Sequence, residues 1–103
     1  MTFHMPPHLS NVKLASICQR HGIHRLSVFG SRLKGMARPD SDLDLLVEFE
    51  LGHAHGLIGM GNIEIELTQE FGVKVDLRTA QDLSHYFREE VIQQAQVVYL
   101  GFV

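Results

Sequence analysis

Gly30-Ser31 is followed, after ten residues, by Asp42-x-Asp44, and an apolar run flanks each pair. A strand ending in Gly-Ser brings backbone N–H groups and a hydroxyl up to a phosphate. A second strand opening with Asp-x-Asp places two carboxylates on one face, because side chains alternate along a strand. Residues 73–78 (VKVDLR) alternate as well, with Val73, Val75 and Leu77 on one side and Lys74, Asp76 and Arg78 on the other. If this strand lies beside the Asp42–Asp44 strand, Asp76 joins the carboxylate pair. Three packed carboxylates repel strongly unless a cation sits among them. A divalent ion that binds oxygen ligands, Mg²⁺ first, removes that conflict. A phosphate grip with clustered carboxylates is what metal-assisted phosphoryl or nucleotidyl transfer requires.

The elements that must position these residues follow from periodicity and from breakers. Asn11 to His21 reads as a helix with a partial apolar stripe, Ser10 or Asn11 as its cap and Gly22 as its stop. Arg25 to Phe29 is a short strand broken by Gly30, and Ser31 to Met36 is expected as a short helix facing the phosphate site. Ala37 to Ser41, with Pro39-Asp40, is a turn. Leu43 to Phe49 is a strand, with Asp42, Asp44, Leu46 and Glu48 on one face. Glu50 to Gly56 is a loop. Leu57 to Phe71 has helical spacing in Met60, Ile63, Leu67 and Phe71, although Gly59 and Gly61 weaken its first turn. Val73 to Arg78 is the third strand, and Thr79 or Asp82 caps a last helix centred on Tyr86 to Ala95. Val97 to Leu100 is an extended tail that can join the sheet, with apolar character continuing to Val103.

This order predicts an α/β (α+β) fold with a small mixed sheet covered by helices. Three strands cannot hide both of their own faces, so helices must cover at least one. The 103 residues read as one domain, with residues 1–8 as a loose N-terminal arm. No apolar run approaches the ~20 residues that span a bilayer, and MTFHMPPHLS lacks the pattern of a signal peptide. Cys18 is the single cysteine, which points to a reducing cytoplasm. A net charge of −3 argues against a protein that holds a long nucleic acid backbone. A nucleoside triphosphate with a protein or small acceptor fits that charge better, and so small a domain suggests that a second chain, as a homo- or hetero-oligomer, completes the site.

The segment VFGSRLKGMARPDSDLDLLV resembles the signature of the nucleotidyltransferase superfamily that includes DNA polymerase beta. It is most similar to the minimal nucleotidyltransferases, often paired with a small helical HEPN protein, and the similarity runs from about His21 to Tyr99. The resemblance implies that Asp42 and Asp44 bind two metal ions, Mg²⁺ or Mn²⁺. It implies that Asp76 holds the metal nearer the acceptor, and that Gly30 and Ser31 contact the leaving phosphates. It further implies transfer of a nucleoside monophosphate, AMP from ATP, to a tyrosine of a HEPN ribonuclease toxin encoded nearby, with this chain as antitoxin.

Each element has a plainer reading. Asp-x-Asp alone is usually a solvated strand edge, and Gly-Ser alone is usually a loop; their joint spacing with a later strand acid carries the functional reading. Arg32 is a candidate for neutralising triphosphate charge, and Arg78, on the polar face of Asp76, is either a contact to the same phosphates or an incoming acceptor or an ordinary surface charge, whereas Lys34 and Glu48 read as solvated charges. His53 and His55 read as a surface loop, Cys18 as a packed thiol, and Tyr86 and Phe87 as core or interface residues. A different function class stays open: a non-catalytic nucleotide-binding antitoxin that silences its helical partner by covering it. Modification of a small molecule such as an aminoglycoside ranks last, because such enzymes carry an additional helical domain.

Overall fold

The computed structural model describes residues 2–101. Met1 of the expected arm and Phe102–Val103 of the expected tail lie outside the described residues. The elements are α1 (Asn11–Arg20), β1 (Ile23–Phe29), β2 (Leu43–Phe49), α2 (Leu57–Phe71), β3 (Val75–Arg78), a 3-10 turn over Ala80–Asp82, α3 (Arg88–Gln94) and β4 (Gln96–Leu100). The strands form one mixed sheet in the order β3-β2-β1-β4. β1 is antiparallel to both β2 and β4, and β2 is parallel to β3. This is the α+β arrangement expected, with a fourth strand.

Local chemistry explains the boundaries. The Lys13 backbone N–H donates to Ser10 Oγ (3.1 Å), which caps α1. Leu14, Ile17 and Cys18 of α1 and Ile63, Leu67 and Phe71 of α2 meet Leu43, Leu45 and Val47 of β2 in the core. The two helices are tied outside the core by Lys13–Glu70 (2.9 Å) and Arg20–Glu66 (2.7 Å). Burial pushes the Cys18 thiol up to about 12, so it packs as an unreactive group. β3 is a sheet edge, and α2 closes it. The Val75 N–H donates to Thr68 Oγ1 (3.0 Å) and the Leu77 N–H to Glu64 Oε2 (2.8 Å). Those two bonds satisfy an otherwise open strand edge and fix which way Asp76 points.

Four expectations change. The arm is docked rather than loose: Phe3 exchanges hydrogen bonds with the Gln96 side chain (2.9 and 2.8 Å) and stacks near Phe71, while Leu9 is buried. Apolar Phe3, Met5 and Leu9 have core surface to cover, and that outweighs the freedom of a polar terminus. Residues 31–36 form successive turns instead of a helix. Lys34 N–H reaches the Gly30 carbonyl and Met36 N–H the Ser31 carbonyl, but Gly35 adopts φ +71° and ends the winding. The last helix is only Arg88–Gln94, because Thr79 and Asp82 cap a separate 3-10 turn. Tyr86 precedes that helix and is exposed, so it is not a core residue.

Candidate active site

Asp44 and Asp76 are partners in the parallel register of β2 and β3, so their side chains leave the same face on neighbouring strands. That face is opposite the one packed on α1 and α2, as the alternating burial of both strands requires. Phe29, the last residue of β1, is the partner of Asp44 on the other side. The chain leaves β1 at Gly30, where φ is +78°. A Cβ at this position would overlap the Asp44 carboxylate, with Oδ2 the nearest atom. Only glycine both tolerates the left-handed backbone and leaves room for that carboxylate. Gly30, Asp44 and Asp76 therefore stand in a row across β1, β2 and β3.

The Gly-Ser turn is held from two sides. Leu33 is buried and anchors it in the core. Arg32 Nε and Nη2 donate to the Ser41 carbonyl (3.1 and 2.7 Å), and Nη2 also reaches the Pro39 carbonyl at 3.5 Å. The residue after Ser31 is thus bound to the residue before Asp42. Arg32, expected at the nucleotide phosphates, thus engages two of its nitrogens in positioning the turn while its charge stays beside Ser31. Ser41 itself closes the turn, accepting at Oγ from the Arg38 N–H (2.8 Å) and donating its own N–H to the Arg38 carbonyl (3.0 Å).

The electrostatics are those of crowded acids. The Asp44 carboxyl is held above its ordinary value, first by burial, then by repulsion from Asp76 and more weakly from Asp42, with Arg78 opposing the rise. Arg78 donates to Asp76 Oδ2 from Nε (3.3 Å) and Nη2 (3.2 Å). Arg78 is accordingly bound to the acid cluster and is more than a solvated charge.

Among the described residues, no three acidic, histidine or cysteine side chains close around a point tightly enough to cage an ion alone. The expected set is therefore an open one. Asp44 and Asp76 are adjacent, Asp42 lies within electrostatic reach of Asp44, and Asp76 leans toward Arg78. An all-oxygen set of this kind suits Mg²⁺, which takes one or two carboxylates, substrate phosphates and waters in preference to a full protein cage. The raised Asp44 carboxyl fits the same reading, since a cation would relieve the burial of its charge. His55 is occupied elsewhere: its Nε2 bonds the His21 carbonyl (2.9 Å) and its ring lies 5.0 Å from that of Phe49.

A family profile described as "Polymerase beta, Nucleotidyltransferase" matches residues 12–100. Protein adenylyltransferase MntA of Thermococcus cleftensis is 34% identical over 82 residues, covering 80% of this chain and 79% of that protein. A solved structure described provisionally as a minimal nucleotidyltransferase aligns at 38% identity and TM-score 0.65, covering 87% of this chain and 97% of that one. A complex described as a tri-AMPylated Shewanella oneidensis HEPN toxin with MNT antitoxin contains a chain of the same fold. It aligns at TM-score 0.62 and 17% identity over 88% of this chain and 70% of that one. The fold agrees with these matches, and the chain belongs to the polymerase beta nucleotidyltransferase family.

Proposed function

We propose that this chain moves AMP from ATP to a hydroxyl of a protein acceptor, a tyrosine of a HEPN-type toxin encoded nearby, and so acts as its antitoxin. The observation that carries the proposal is the row of Gly30, Asp44 and Asp76 across three neighbouring strands. An in-line displacement needs the leaving phosphates on one side of the reacting phosphorus and the attacking oxygen on the other. Gly30 and Ser31 offer backbone and hydroxyl donors at the β1 end for the β- and γ-phosphates. Asp44 and Asp42 flank the α-phosphate. Asp76 lies on the far side of Asp44 from Gly30, beside the approaching hydroxyl, and takes its proton. The new bond joins the acceptor oxygen to the α-phosphorus, the bond to the bridging oxygen breaks, and pyrophosphate leaves beside Gly30.

The family generally uses divalent metals, and Asp42, Asp44 and Asp76 are the residues that would hold Mg²⁺ here. The bound ions supply charge stabilisation on both the attacking and the leaving oxygen. The acceptor assignment is drawn from the adenylyltransferase name of the archaeal relative and from the AMPylated toxin complex.

The test is co-expression with the neighbouring HEPN-type protein, followed by intact mass spectrometry of that partner. A gain of one or more AMP units, lost in the Asp42→Ala, Asp44→Ala double variant, is the expected result. A partner that carries no AMP yet is neutralised by the double variant sinks the enzymatic account and leaves the binding antitoxin.

A further inference from the structure

We infer that Arg78 binds a phosphate carried by the acceptor, and so favours acceptors that already bear one AMP for further additions. The inference rests on the proposed AMP transfer and deepens it. A tyrosine that has received AMP ends in a ribose with free 2′ and 3′ hydroxyls, joined through O5′ to a phosphodiester. A second transfer is the same chemical step as the first. The ribose oxygen bonds to the α-phosphorus of a new ATP, its proton goes to Asp76, and pyrophosphate leaves. What differs is charge. A phenol brings none to the site, whereas the AMP-terminated acceptor brings its phosphodiester anion toward Asp42, Asp44 and Asp76. Carboxylates repel that anion unless a cation meets it.

Arg78 is placed to be that cation. It stands two residues beyond Asp76 on β3, on the same face and at the outer edge of the sheet. Nε and Nη2 both reach a single oxygen, Asp76 Oδ2, at 3.3 and 3.2 Å. Both distances exceed the ~2.7–2.9 Å of a strong charge-assisted pair. Among the described residues Nη1 has no hydrogen bond to the protein, and the side chain is 47% exposed. A guanidinium held this way keeps donors for a phosphate while staying beside the acid that receives the hydroxyl. The span fits as well. C3′, C4′, C5′ and O5′ separate an attacking 3′ oxygen from its own phosphorus, on the scale of the ~7 Å strand step from Asp76 to Arg78. Two other basic residues of the region are turned elsewhere. Lys74 lines a groove with Thr68 and Gln69 of α2, and Arg32 holds the Ser41 carbonyl.

Timed intact mass spectrometry of the HEPN-type partner, incubated with the full chain, ATP and Mg²⁺, tests this. Wild type is expected to add successive AMP units, and to stop after one when 2′,3′-dideoxy-ATP, which leaves no ribose hydroxyl, replaces ATP. Arg78→Gln should lower the ratio of second-addition to first-addition rate at least about tenfold, the loss of one charge-assisted contact. Arg78→Lys keeps the charge without the fork and should recover part of that ratio. The ratio is read within each variant, so a partly unfolded preparation does not shift it. Equal slowing of both additions in Arg78→Gln overturns the inference and leaves Arg78 as a counter-ion to the acids. A ratio unchanged at wild-type rates overturns it too. A wild type that stops at one unit with ATP, or adds as many units from the dideoxy nucleotide, overturns it while AMP transfer stands. If no unit is added at all, the transfer falls and the inference with it.

Discussion

The Asp44 carboxylate fills the space that a side chain at Gly30 would occupy. Gly30→Ala therefore places a methyl group against a carboxylate and a left-handed backbone on an L residue. The expected cost is about 1–3 kcal/mol of stability, read as a lower thermal midpoint. Transfer should fall more steeply than stability, because the displaced group is Asp44 itself. A variant with wild-type initial rates would show that the Gly30–Asp44 contact is not part of the working site.

Asp44→Asn should separate stability from activity. A carboxyl held above its ordinary value is protonated more readily in the folded chain. Its contribution to stability is therefore most favourable below its unfolded value and is lost as pH rises through its folded one. At neutral pH without divalent ions, Asp44→Asn should raise the thermal midpoint while abolishing transfer. Mg²⁺ should raise the midpoint of the wild type by mass action and leave the variant unmoved. A variant that melts below wild type at pH 7 in chelator contradicts the crowded-acid account.

Arg32→Lys keeps the charge and removes the forked contact to the Ser41 carbonyl. A role confined to neutralising phosphate charge predicts near-normal ATP affinity and rate. The positioning role predicts a loss of about 0.5–3 kcal/mol of stability and a lower kcat, with ATP affinity changed less. Steady-state kinetics with a parallel melt decides between them.

Glu66 reports on the opposite pole of the molecule. Its carboxyl is held below its ordinary value by hydrogen bonds from Arg20 and then His21, with burial opposing. A lowered carboxyl stabilises above its unfolded value and ceases to do so as pH falls through its folded one. The group is largely solvated, so the effect is modest. Glu66→Gln should lower the thermal midpoint at pH 7, with the difference shrinking toward pH 3 and the transfer rate at neutral pH retained. A difference that grows in acid would reverse the assignment.

The parts of this site readable in sequence were those set by a two-residue period. Asp44 and Asp76 each sit between apolar neighbours that must face the core, so the side left to each acid follows. That β3 lies beside β2 is a tertiary fact; it depends on Thr68 and Glu64 of α2 closing the outer edge of β3. The Gly30–Asp44 contact was equally hidden, since a Gly-Ser pair carries no record of what fills its hollow. Residues 31–36 lack the length to reveal whether they wind or turn, and Gly35 decides it. The N-terminal arm misled because its prolines and histidines mask two apolar anchors, Phe3 and Met5.

The sheet order also sets when this protein can become competent during synthesis. β1 carries the phosphate turn, yet one of its two neighbours is β4, with Arg25 paired to Leu100 and Val28 to Gln96. Gly30 is among the first functional groups to emerge, and the strand that flanks its own is among the last described. A nascent chain lacking β4 leaves β1 as an open edge, and pairings this distant in sequence form slowly. The strand that carries the phosphate turn therefore gains its second neighbour only after residues 96–100 have been synthesised.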